Sequence, residues 1–176
     1  IVREDGRFAV VGLPCHIHGI RKAEMSVKGL REKIVLHIGL FCSHTVSFFG
    51  TEFLLGKLGV KSDQVVKVDY RGLGWPGSLL VRLRDGSSLM APYVGEWNSY
   101  WPLFSSFFFT PRRCLMCFDE TNELADVSVG DAWLPELRKE KKGGSIVIAR
   151  TKRGKEFLKE AASSGAISLR RIDCER

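Results

Sequence analysis

Two apolar, β-like runs in this chain are each followed by a turn that carries a cysteine. The run at residues 7–11 leads into Gly12-Leu-Pro-Cys15, and the run at residues 33–40 leads to Cys42. Two such strands joined by a right-handed crossover run parallel, so their carboxyl ends meet at one edge of the sheet. Because neighbouring strands lie about 4.8 Å apart, we expect the two cysteines to come close enough to bind the same metal centre.

The remaining apolar patterns alternate between strand and helix. They predict strands at 64–70, 79–84, 88–93, 125–129, 145–149 and 166–171, and helices at 16–28, 49–58 (capped by Ser47), 97–109 and 151–162. Asp85-Gly86, between two of these strands, is a strong signal for a hairpin. The order predicts an α/β fold, with a mixed sheet flanked by helices, an antiparallel hairpin and a cysteine-bearing loop region. We expect residues 1–176 to form a single domain.

A second pair of cysteines has a metal-binding spacing. Cys114 and Cys117 form a C-x-x-C pair directly after Arg112 and Arg113, and basic neighbours help to keep thiolates deprotonated. Five cysteines without a signal peptide favour reduced thiols over a disulfide framework, and Cys174 is the outlier. Four thiolates can hold one soft metal centre. Three interpretations stay open: an iron–sulfur cluster, a structural zinc, or a redox dithiol of the C-x-x-C pair alone.

Four histidines keep the zinc interpretation open, because sites with mixed cysteine and histidine ligands suit zinc. His16 and His18 begin a predicted helix, and His37 alternates within a predicted strand. These positions favour solvent contact for the helix residues and packing for the strand residue. His44, which closely follows Cys42, is the best candidate among the four for a functional contact.

The chain carries a formal net charge of +7, much of it after Glu136. Acidic residues dilute this basic region, and it lacks the interleaved aromatic residues of a single-strand binding platform. We therefore interpret it as a solvated basic face and expect no nucleic-acid partner. A basic face could instead recruit an anionic partner, as a zinc-stapled binding module would. Since no apolar run reaches the roughly 20 residues that span a bilayer, we expect a cytoplasmic protein without a membrane span.

Several further motifs occur in order along nearly the whole chain. Besides the cysteine turns, they are Tyr70-Arg-Gly-Leu-Gly74 with Pro76-Gly77, Asp119, Ala125-Asp126-Val-Ser128-Val-Gly130-Asp131-Ala-Trp133, Gly144-Ser145 and Arg150-Thr151. Each motif alone is weakly specific. Together and in this order they resemble the C-terminal region of the coenzyme F420 hydrogenase/dehydrogenase beta-subunit family.

The resemblance implies an oxidoreductase subunit, an iron–sulfur flavoprotein that passes electrons between a [4Fe-4S] cluster and FAD. The flavin would exchange a hydride with coenzyme F420 or a related substrate, and the partners would be other oxidoreductase subunits or a ferredoxin-like electron carrier. Position by position, the residues that match the family's cluster ligands are Cys15, Cys42, Cys114 and Cys117. The cofactor-binding candidates are Arg71, Gly72, Gly74, Gly77, Gly130, Asp131 and Trp133, and no catalytic residue is assigned. A structural turn explains the loop glycines equally well, as does a helix N-cap for Asp131.

The chain departs from the family's pattern at two points. His16 follows the first cysteine where the family often has glutamine, and we expect this change to alter the surroundings of a cluster and hence its potential. The sequence also lacks the family's Ser/Gly-rich segment that is expected to help hold the flavin. We therefore expect residues 1–176 to be the C-terminal part of a longer flavoprotein, without its N-terminal flavin-binding segment.

The purified 176-residue chain is accordingly expected to bind a cluster but to hold FAD poorly or not at all. The absorbance of flavin released from anaerobically purified protein, measured against protein concentration, checks this expectation. A stoichiometric amount of FAD would contradict it.

Overall fold

The protein is described by a computed structural model that covers residues 1–92, 99–137 and 140–172. The end of the predicted hairpin at Tyr93, the start of the predicted aromatic helix at 97–98, and Cys174 lie outside the described residues. Within the described part, no helix is both long enough and apolar enough to cross a membrane.

The described chain folds into two compact units. Unit 1 comprises Ile1–Cys42, Asp119–Gly130 and the described residues from Ser145 onward, and unit 2 comprises the described residues of Ser43–Phe118 and Asp131–Gly144. The strands are β1 Phe8–Gly12, β2 Ile34–Leu40, β3 Val65–Gly72, β4 Ser78–Leu83, β5 Ser88–Pro92, β6 Val127–Asp131 and β7 Ser145–Ala149. The helices are α1 Pro14–Ser26, α2 Leu30–Lys33, α3 Phe48–Lys57, α4 Tyr100–Ser105, α5 Arg112–Leu115 and α6 Lys152–Ser163, with short 3-10 turns at Ser62–Gln64 and Pro135–Leu137.

Unit 1 contains a four-stranded sheet in the order β1-β2-β6-β7. Since β1 pairs in parallel with β2, and β2 in parallel with β6, the carboxyl ends of these strands lie at the same edge. The register places Gly12, the last residue of β1, opposite Gly39. Helix α1 connects β1 to β2 and buries Ile17 completely. The parallel arrangement expected for the two cysteine-bearing runs is therefore confirmed.

Unit 2 contains the antiparallel sheet β3-β4-β5, which packs with α3 and α4 around an apolar core. The buried members of that core are Leu54, Leu55, Val60, Leu79, Val81, Ala91 and Leu103. In the turn between β4 and β5, Oδ1 of Asp85 accepts hydrogen bonds from the backbone N–H (2.9 Å) and hydroxyl (2.6 Å) of Ser87. The predicted hairpin at Asp85-Gly86 is confirmed, and so is the α/β class with a mixed sheet and flanking helices.

The strand predicted at residues 166–171 is wrong, because the described residues there form no strand. Gly165 adopts a left-handed conformation, with φ 74°, just after α6. The backbone N–H groups of Ala166 (3.0 Å) and Ile167 (3.3 Å) then donate to the carbonyl oxygen of Ala161. These donors close the helix terminus and do not take part in a sheet, although the alternating sequence suits a strand.

The helix predicted at 97–109 is too long, since α4 spans only Tyr100–Ser105. Phe107 has a positive φ of 58°, a left-handed conformation that does not continue a right-handed helix. Ser47 stands at the N-cap of α3 as predicted, but within the described residues its side chain accepts no capping hydrogen bond. Its backbone N–H instead donates to the carbonyl oxygen of Phe109 at 2.9 Å.

A buried group of ionisable side chains surrounds the middle of β2 in unit 1. The fully buried ring of His37 has Nδ1 3.2 Å from Oδ2 of Asp126 and Nε2 2.9 Å from Oε1 of Glu24. The Asp126 carboxylate also accepts hydrogen bonds from the backbone N–H of His37 (2.9 Å) and the hydroxyl of Thr151 (2.8 Å). Burial opposes ionisation of Asp126, but these hydrogen bonds and the charge of Arg21 outweigh it, so the pKa of Asp126 lies below its ordinary value.

The variant Asp126→Asn is expected to lower the free energy of unfolding at pH 7 by about 2 kcal/mol, because an amide cannot replace every hydrogen bond of the buried carboxylate. The pKa is lowered in the folded state, so this stabilisation is fully present above the unfolded-state pKa of about 4. It is lost as the pH falls through the lower folded-state value.

Urea titrations of wild type and variant at pH 7 and in increasing acid measure this difference. The difference should shrink as the pH falls, whereas the control Asp63→Asn, in an exposed turn, should change stability little at any pH. A difference that stays constant into acid would show that the ionised carboxylate is not the source of the stabilisation.

Candidate functional site

Cys15 lies in the first turn of α1, just after the end of β1. The helix begins at Pro14, whose fixed φ and missing N–H suit the first position of a helix. Nδ1 of His16 accepts a hydrogen bond from the backbone N–H of Leu13 at 3.4 Å and so helps to cap the helix. His16 thus takes the position at which a capping box carries glutamine, next to the exposed Cys15. Its effect on the potential of a cluster stays a prediction.

Cys42 lies two residues after the end of β2 and is half-buried. Its backbone N–H donates to the carbonyl oxygen of Glu120 at 2.9 Å, and that of Phe41 donates to Val129 at 2.8 Å. The Phe41 ring fills the space beside Gly130, where a Cβ atom would overlap it. Gly130, one of the cofactor-binding candidates, therefore has a packing role within unit 1, and its contact with a cofactor stays a prediction.

Cys114 and Cys117 lie in unit 2, on a tight turn that includes the short helix α5. The backbone N–H of Cys114 donates to the carbonyl oxygen of Pro111 at 2.9 Å. The N–H of Cys117 donates in turn to the carbonyl oxygen of Cys114 at 3.1 Å. These bonds hold the pair in a compact conformation, and C-x-x-C pairs are a common source of two ligands for one metal centre.

None of these four cysteines takes part in a disulfide. Cys15 and Cys42 lie in unit 1, where β1 and β2 end, whereas Cys114 and Cys117 lie in unit 2. Over residues 1–92, 99–137 and 140–172, no group of three or more His, Cys, Asp or Glu side chains is gathered closely enough to hold a metal ion. The assignment of all four cysteines to one cluster stays a prediction. Their chemistry fits it, because iron–sulfur clusters are held by thiolates.

His44, the best candidate among the histidines for a functional contact, is built into the interior of unit 2. Its Nε2–H donates to the carbonyl oxygen of Phe104, and its Nδ1 accepts from the hydroxyl of Ser43, both at 3.0 Å. Its ring stacks on those of Phe104 and Phe107, with centroid distances of 3.8 and 4.3 Å. Because the nitrogens of His44 and of the buried His37 face partners within the protein, a mixed cysteine and histidine site for zinc loses support.

Asp119 closes the turn that follows the C-x-x-C pair in the sequence. Its buried carboxylate accepts a hydrogen bond from the backbone N–H of Glu123, whose nitrogen lies 3.2 Å from Oδ1 and 3.1 Å from Oδ2. Oδ2 also lies 2.9 Å from Nε2 of His18. These contacts fasten the turn to α1 within unit 1.

In unit 2, three of the predicted cofactor-binding residues come together. Arg71 and Asp131 form an ion pair, with Nη1 3.0 Å from Oδ2. Asp131 is the last residue of β6, and the 3-10 turn that follows begins only at Pro135, so Asp131 does not stand at its N-cap. The guanidinium of Arg71 lies over the ring of Trp133, 5.2 Å from its centroid. The ring of Trp75 packs against the ring of Trp133 at a centroid distance of 4.8 Å. We call these four residues the Arg71–Trp133 surface. Trp133 stays about half-exposed in this surface. Contact of the surface with a cofactor stays a prediction.

The backbone itself requires the glycines of the adjoining loop. Gly74 and Gly77 have φ values of 102° and 84°, which residues with a Cβ atom rarely adopt. A Cβ on Gly77 would lie 2.6 Å from the carbonyl oxygen of Gly74, and one on Gly72 would lie 3.0 Å from Cβ of Leu80. Turn geometry therefore accounts for Gly74 and Gly77, and a close contact with Leu80 of the neighbouring strand β4 accounts for Gly72. Close approach of a cofactor to the three glycines stays a prediction.

Trp75 is a residue that the sequence analysis missed. Its Nε1–H is buried and has no hydrogen-bond acceptor among the described residues. Its backbone N–H donates to the carbonyl oxygen of Lys141 at 3.0 Å, which holds the backbone of the loop at this residue. A buried donor without an acceptor is costly, and a cofactor carbonyl beside the Arg71–Trp133 surface would satisfy it. The signal in the sequence was an aromatic residue between Gly74 and Pro76 in a glycine-rich loop.

Comparison with known proteins identifies relatives along almost the whole chain. A family model that describes the C terminus of the beta subunit of Coenzyme F420 hydrogenase/dehydrogenase matches residues 5–175. The chain is 30% identical over 179 residues to Coenzyme F420 hydrogenase subunit beta of Methanothermobacter thermautotrophicus, which covers 98% of this chain and 56% of that protein. It is 29% identical over 181 residues to Coenzyme F420-dependent sulfite reductase of Methanocaldococcus jannaschii, covering 95% of this chain and 26% of that protein.

Among solved structures, the chain resembles one chain of the F420-reducing [NiFe] hydrogenase complex from Methanosarcina barkeri. The TM-score is 0.60 at 22% identity, over 90% of this chain and 49% of the other, and this likeness concerns the fold alone. Together, these matches place the chain in a family of oxidoreductase subunits. The chain belongs to the coenzyme F420 hydrogenase/dehydrogenase beta-subunit family and matches its C-terminal region. It spans about half the length of the hydrogenase beta subunits that it matches.

The variant Gly77→Ala is expected to lower the free energy of unfolding by about 1 kcal/mol or more, because alanine at a positive φ is strained and its Cβ meets the Gly74 carbonyl. Gly56→Ala is the matched control, since a Cβ there meets nothing within 4 Å in α3. Replacing this helical glycine by alanine should raise the free energy of unfolding by about 0.5 kcal/mol. Urea titration measures both values. Wild-type stability of Gly77→Ala would refute the turn explanation.

Proposed function

We propose that this chain is the C-terminal part of an iron–sulfur flavoprotein subunit. The proposed cluster ligands are Cys15, Cys42, Cys114 and Cys117, which bind one [4Fe-4S] cluster. The subunit passes electrons between that cluster and FAD, for hydride exchange with coenzyme F420 or a related substrate. Family membership supports the redox role, and relatives that are a coenzyme F420 hydrogenase subunit and a coenzyme F420-dependent sulfite reductase support the substrate.

The observation that carries the proposal is the placement of Cys15 and Cys42. They follow the carboxyl ends of two adjacent parallel strands, the edge at which open α/β sheets bind their ligands. An unreactive cysteine is usually buried as a small apolar residue, whereas Cys15 is exposed and Cys42 is only half-buried. This exposure at the ligand-binding edge of the sheet favours a role as metal ligands.

The Arg71–Trp133 surface supports the flavin part of the proposal. When bound, FAD supplies a step that a cluster alone lacks, because it takes up two electrons as a hydride and releases them singly. The Trp133 ring, which is 52% exposed, would offer a contact face. The Arg71 guanidinium, which also pairs with Asp131, and the Trp75 indole would donate hydrogen bonds. The proposed cofactor-binding residues are Arg71, Gly72, Gly74, Gly77, Gly130, Asp131 and Trp133, together with Trp75.

We further propose that the subunit works in the cytoplasm with other oxidoreductase subunits or a ferredoxin-like electron carrier. The relatives include subunits of coenzyme F420 hydrogenases. The net charge of +7 supports an acidic partner, because opposite charges steer electron-transfer proteins together. Exposed basic side chains on α6, among them Lys152, Lys155 and Lys159, supply part of this charge.

Replacing Cys15 or Cys42 by alanine is expected to abolish most of the iron and sulfide bound after anaerobic reconstitution. The wild-type chain should hold iron and sulfide in about a four-to-four ratio, since each cluster needs four protein ligands. The control Cys174→Ala, which removes the cysteine outside the proposed set, should load fully. Colorimetric iron and sulfide assays against protein concentration give these ratios.

Other outcomes would point to different functions. A colourless protein with one zinc would identify a zinc-stapled binding module. A metal-free protein with a reversible Cys114–Cys117 disulfide would identify a thiol oxidoreductase. Full cluster content in both alanine variants would show that the assignment of four cysteine ligands is wrong.

A further inference from the structure

One side chain binds the carbonyl oxygens at the ends of both cysteine-bearing strands. Nδ2 of Asn122 donates to the carbonyl oxygen of Gly12 at 2.9 Å and to that of Leu40 at 3.2 Å. Gly12 is the last residue of β1, and Leu40 is the last residue of β2. Since Asn122 is fully buried, water does not compete for these bonds. The amide therefore links the two strands at the point where the chain turns toward Cys15 and Cys42.

Gly39 makes room for this amide. A Cβ atom on Gly39 would overlap Cβ, Cγ and Nδ2 of Asn122. In the β1–β2 ladder Gly39 lies opposite Gly12, one of the two residues whose carbonyl the amide binds. The glycine of Gly39-Leu-Phe-Cys42 is thus explained by a contact with a residue far away in the chain.

Asn122 is itself held firmly. Its backbone has a φ of 61°, a left-handed conformation that asparagine adopts more readily than most residues. The hydroxyl of Ser128 donates to its carbonyl oxygen at 2.9 Å, and Nε of Arg150 donates to that hydroxyl oxygen at 2.7 Å. Nη2 of Arg150 also donates to the carbonyl oxygen (2.9 Å) and hydroxyl (2.6 Å) of Thr121. The side chains of Ser128, in β6, and Arg150, directly after β7, thus hold the turn at residues 119–123.

The same turn holds Cys42 directly, because the backbone N–H of Cys42 donates to the carbonyl oxygen of Glu120 at 2.9 Å. Residues 119–123 therefore contact the end of β1, the end of β2 and the backbone of one cysteine. The pairing of β1 with β2 ends at Gly12 and Gly39. Beyond that point, hydrogen bonds to residues 119–123 hold the two strand ends.

We propose that Asn122 is a positioning residue that sets the spacing of Cys15 and Cys42 by clamping the ends of β1 and β2. The proposal rests on the proposed function, in which both thiolates bind one cluster. Asn122 acts through the backbone of the two loops. Groups that orient metal ligands in this way slow the loss of the metal.

The variant Asn122→Gly isolates the amide, because glycine adopts a φ of 61° without strain. Asp126→Asn is the matched control, since it removes a buried polar contact of the same unit beside His37 and Thr151. Both variants are loaded with a cluster anaerobically, and the release of iron to a chelator is followed by absorbance. We expect about tenfold faster release from Asn122→Gly, with an altered EPR spectrum of the reduced cluster, and wild-type behaviour from Asp126→Asn.

The unloaded, reduced proteins give a second readout. The rates at which N-ethylmaleimide alkylates Cys42 and Cys114, both half-buried, are compared by peptide mass spectrometry. Asn122→Gly should speed alkylation of Cys42 severalfold and leave Cys114 unchanged. If the wild-type chain binds no cluster, the proposed function fails, and this rate ratio alone decides whether Asn122 positions the loop.

A third variant covers the case in which Asn122→Gly does not fold. Gly39→Ala keeps Asn122, but the new Cβ would overlap Cβ, Cγ and Nδ2 of that residue, so the variant should show the same faster iron release and faster alkylation of Cys42. In the Asn122→Gly background, the added methyl group should have a smaller effect. Wild-type rates in Asn122→Gly and Gly39→Ala, or equal acceleration in Asp126→Asn, would overturn the proposal.

Discussion

The parallel pairing of β1 with β2 is the constraint on which the arrangement of unit 1 depends. It places Gly12 opposite Gly39, so the chain leaves the sheet twice at the same edge, once toward Cys15 and once toward Cys42. A parallel pair needs a crossover connection, and α1 provides it. The ladder ends at these residues, and backbone groups beyond its last rung need other partners. The turn at residues 119–123 supplies them, which is why a segment distant in the sequence belongs to this edge.

Two glycines at this edge are required by packing. Gly39 leaves space for the side chain of Asn122, and Gly130 leaves space for the ring of Phe41. Both contacts are made within unit 1, and both lie close to the backbone of Cys42. In the sequence these glycines belong to short Gly-x-x-Cys and Gly-Asp motifs. In the structure each one packs against a side chain that lies elsewhere in the chain. Dense packing of this kind tolerates little change in side-chain volume.

Sequence reasoning succeeded where the signal is local and failed where distant partners decide. The apolar run before Cys15 and the Asp85-Gly86 turn predicted real elements, because each pattern specifies its own geometry. Residues 166–171 have the alternation of a strand, yet their first N–H groups close the end of α6. The role of Asn122 was invisible because its acceptors are backbone carbonyls, which carry no residue-specific signal. The pairing of Arg71 with Asp131 likewise links two candidates that spacing alone could not connect.

The central claim is that the cysteines of this chain bind one [4Fe-4S] cluster. Native mass spectrometry of the anaerobically purified chain, compared with its acid-denatured mass, tests it most directly. We expect an added mass equal to one [4Fe-4S] cluster in wild-type protein, and no such addition in Cys15→Ala. A single bound zinc ion, or a wild-type chain with no added mass under conditions that preserve clusters, would contradict the claim.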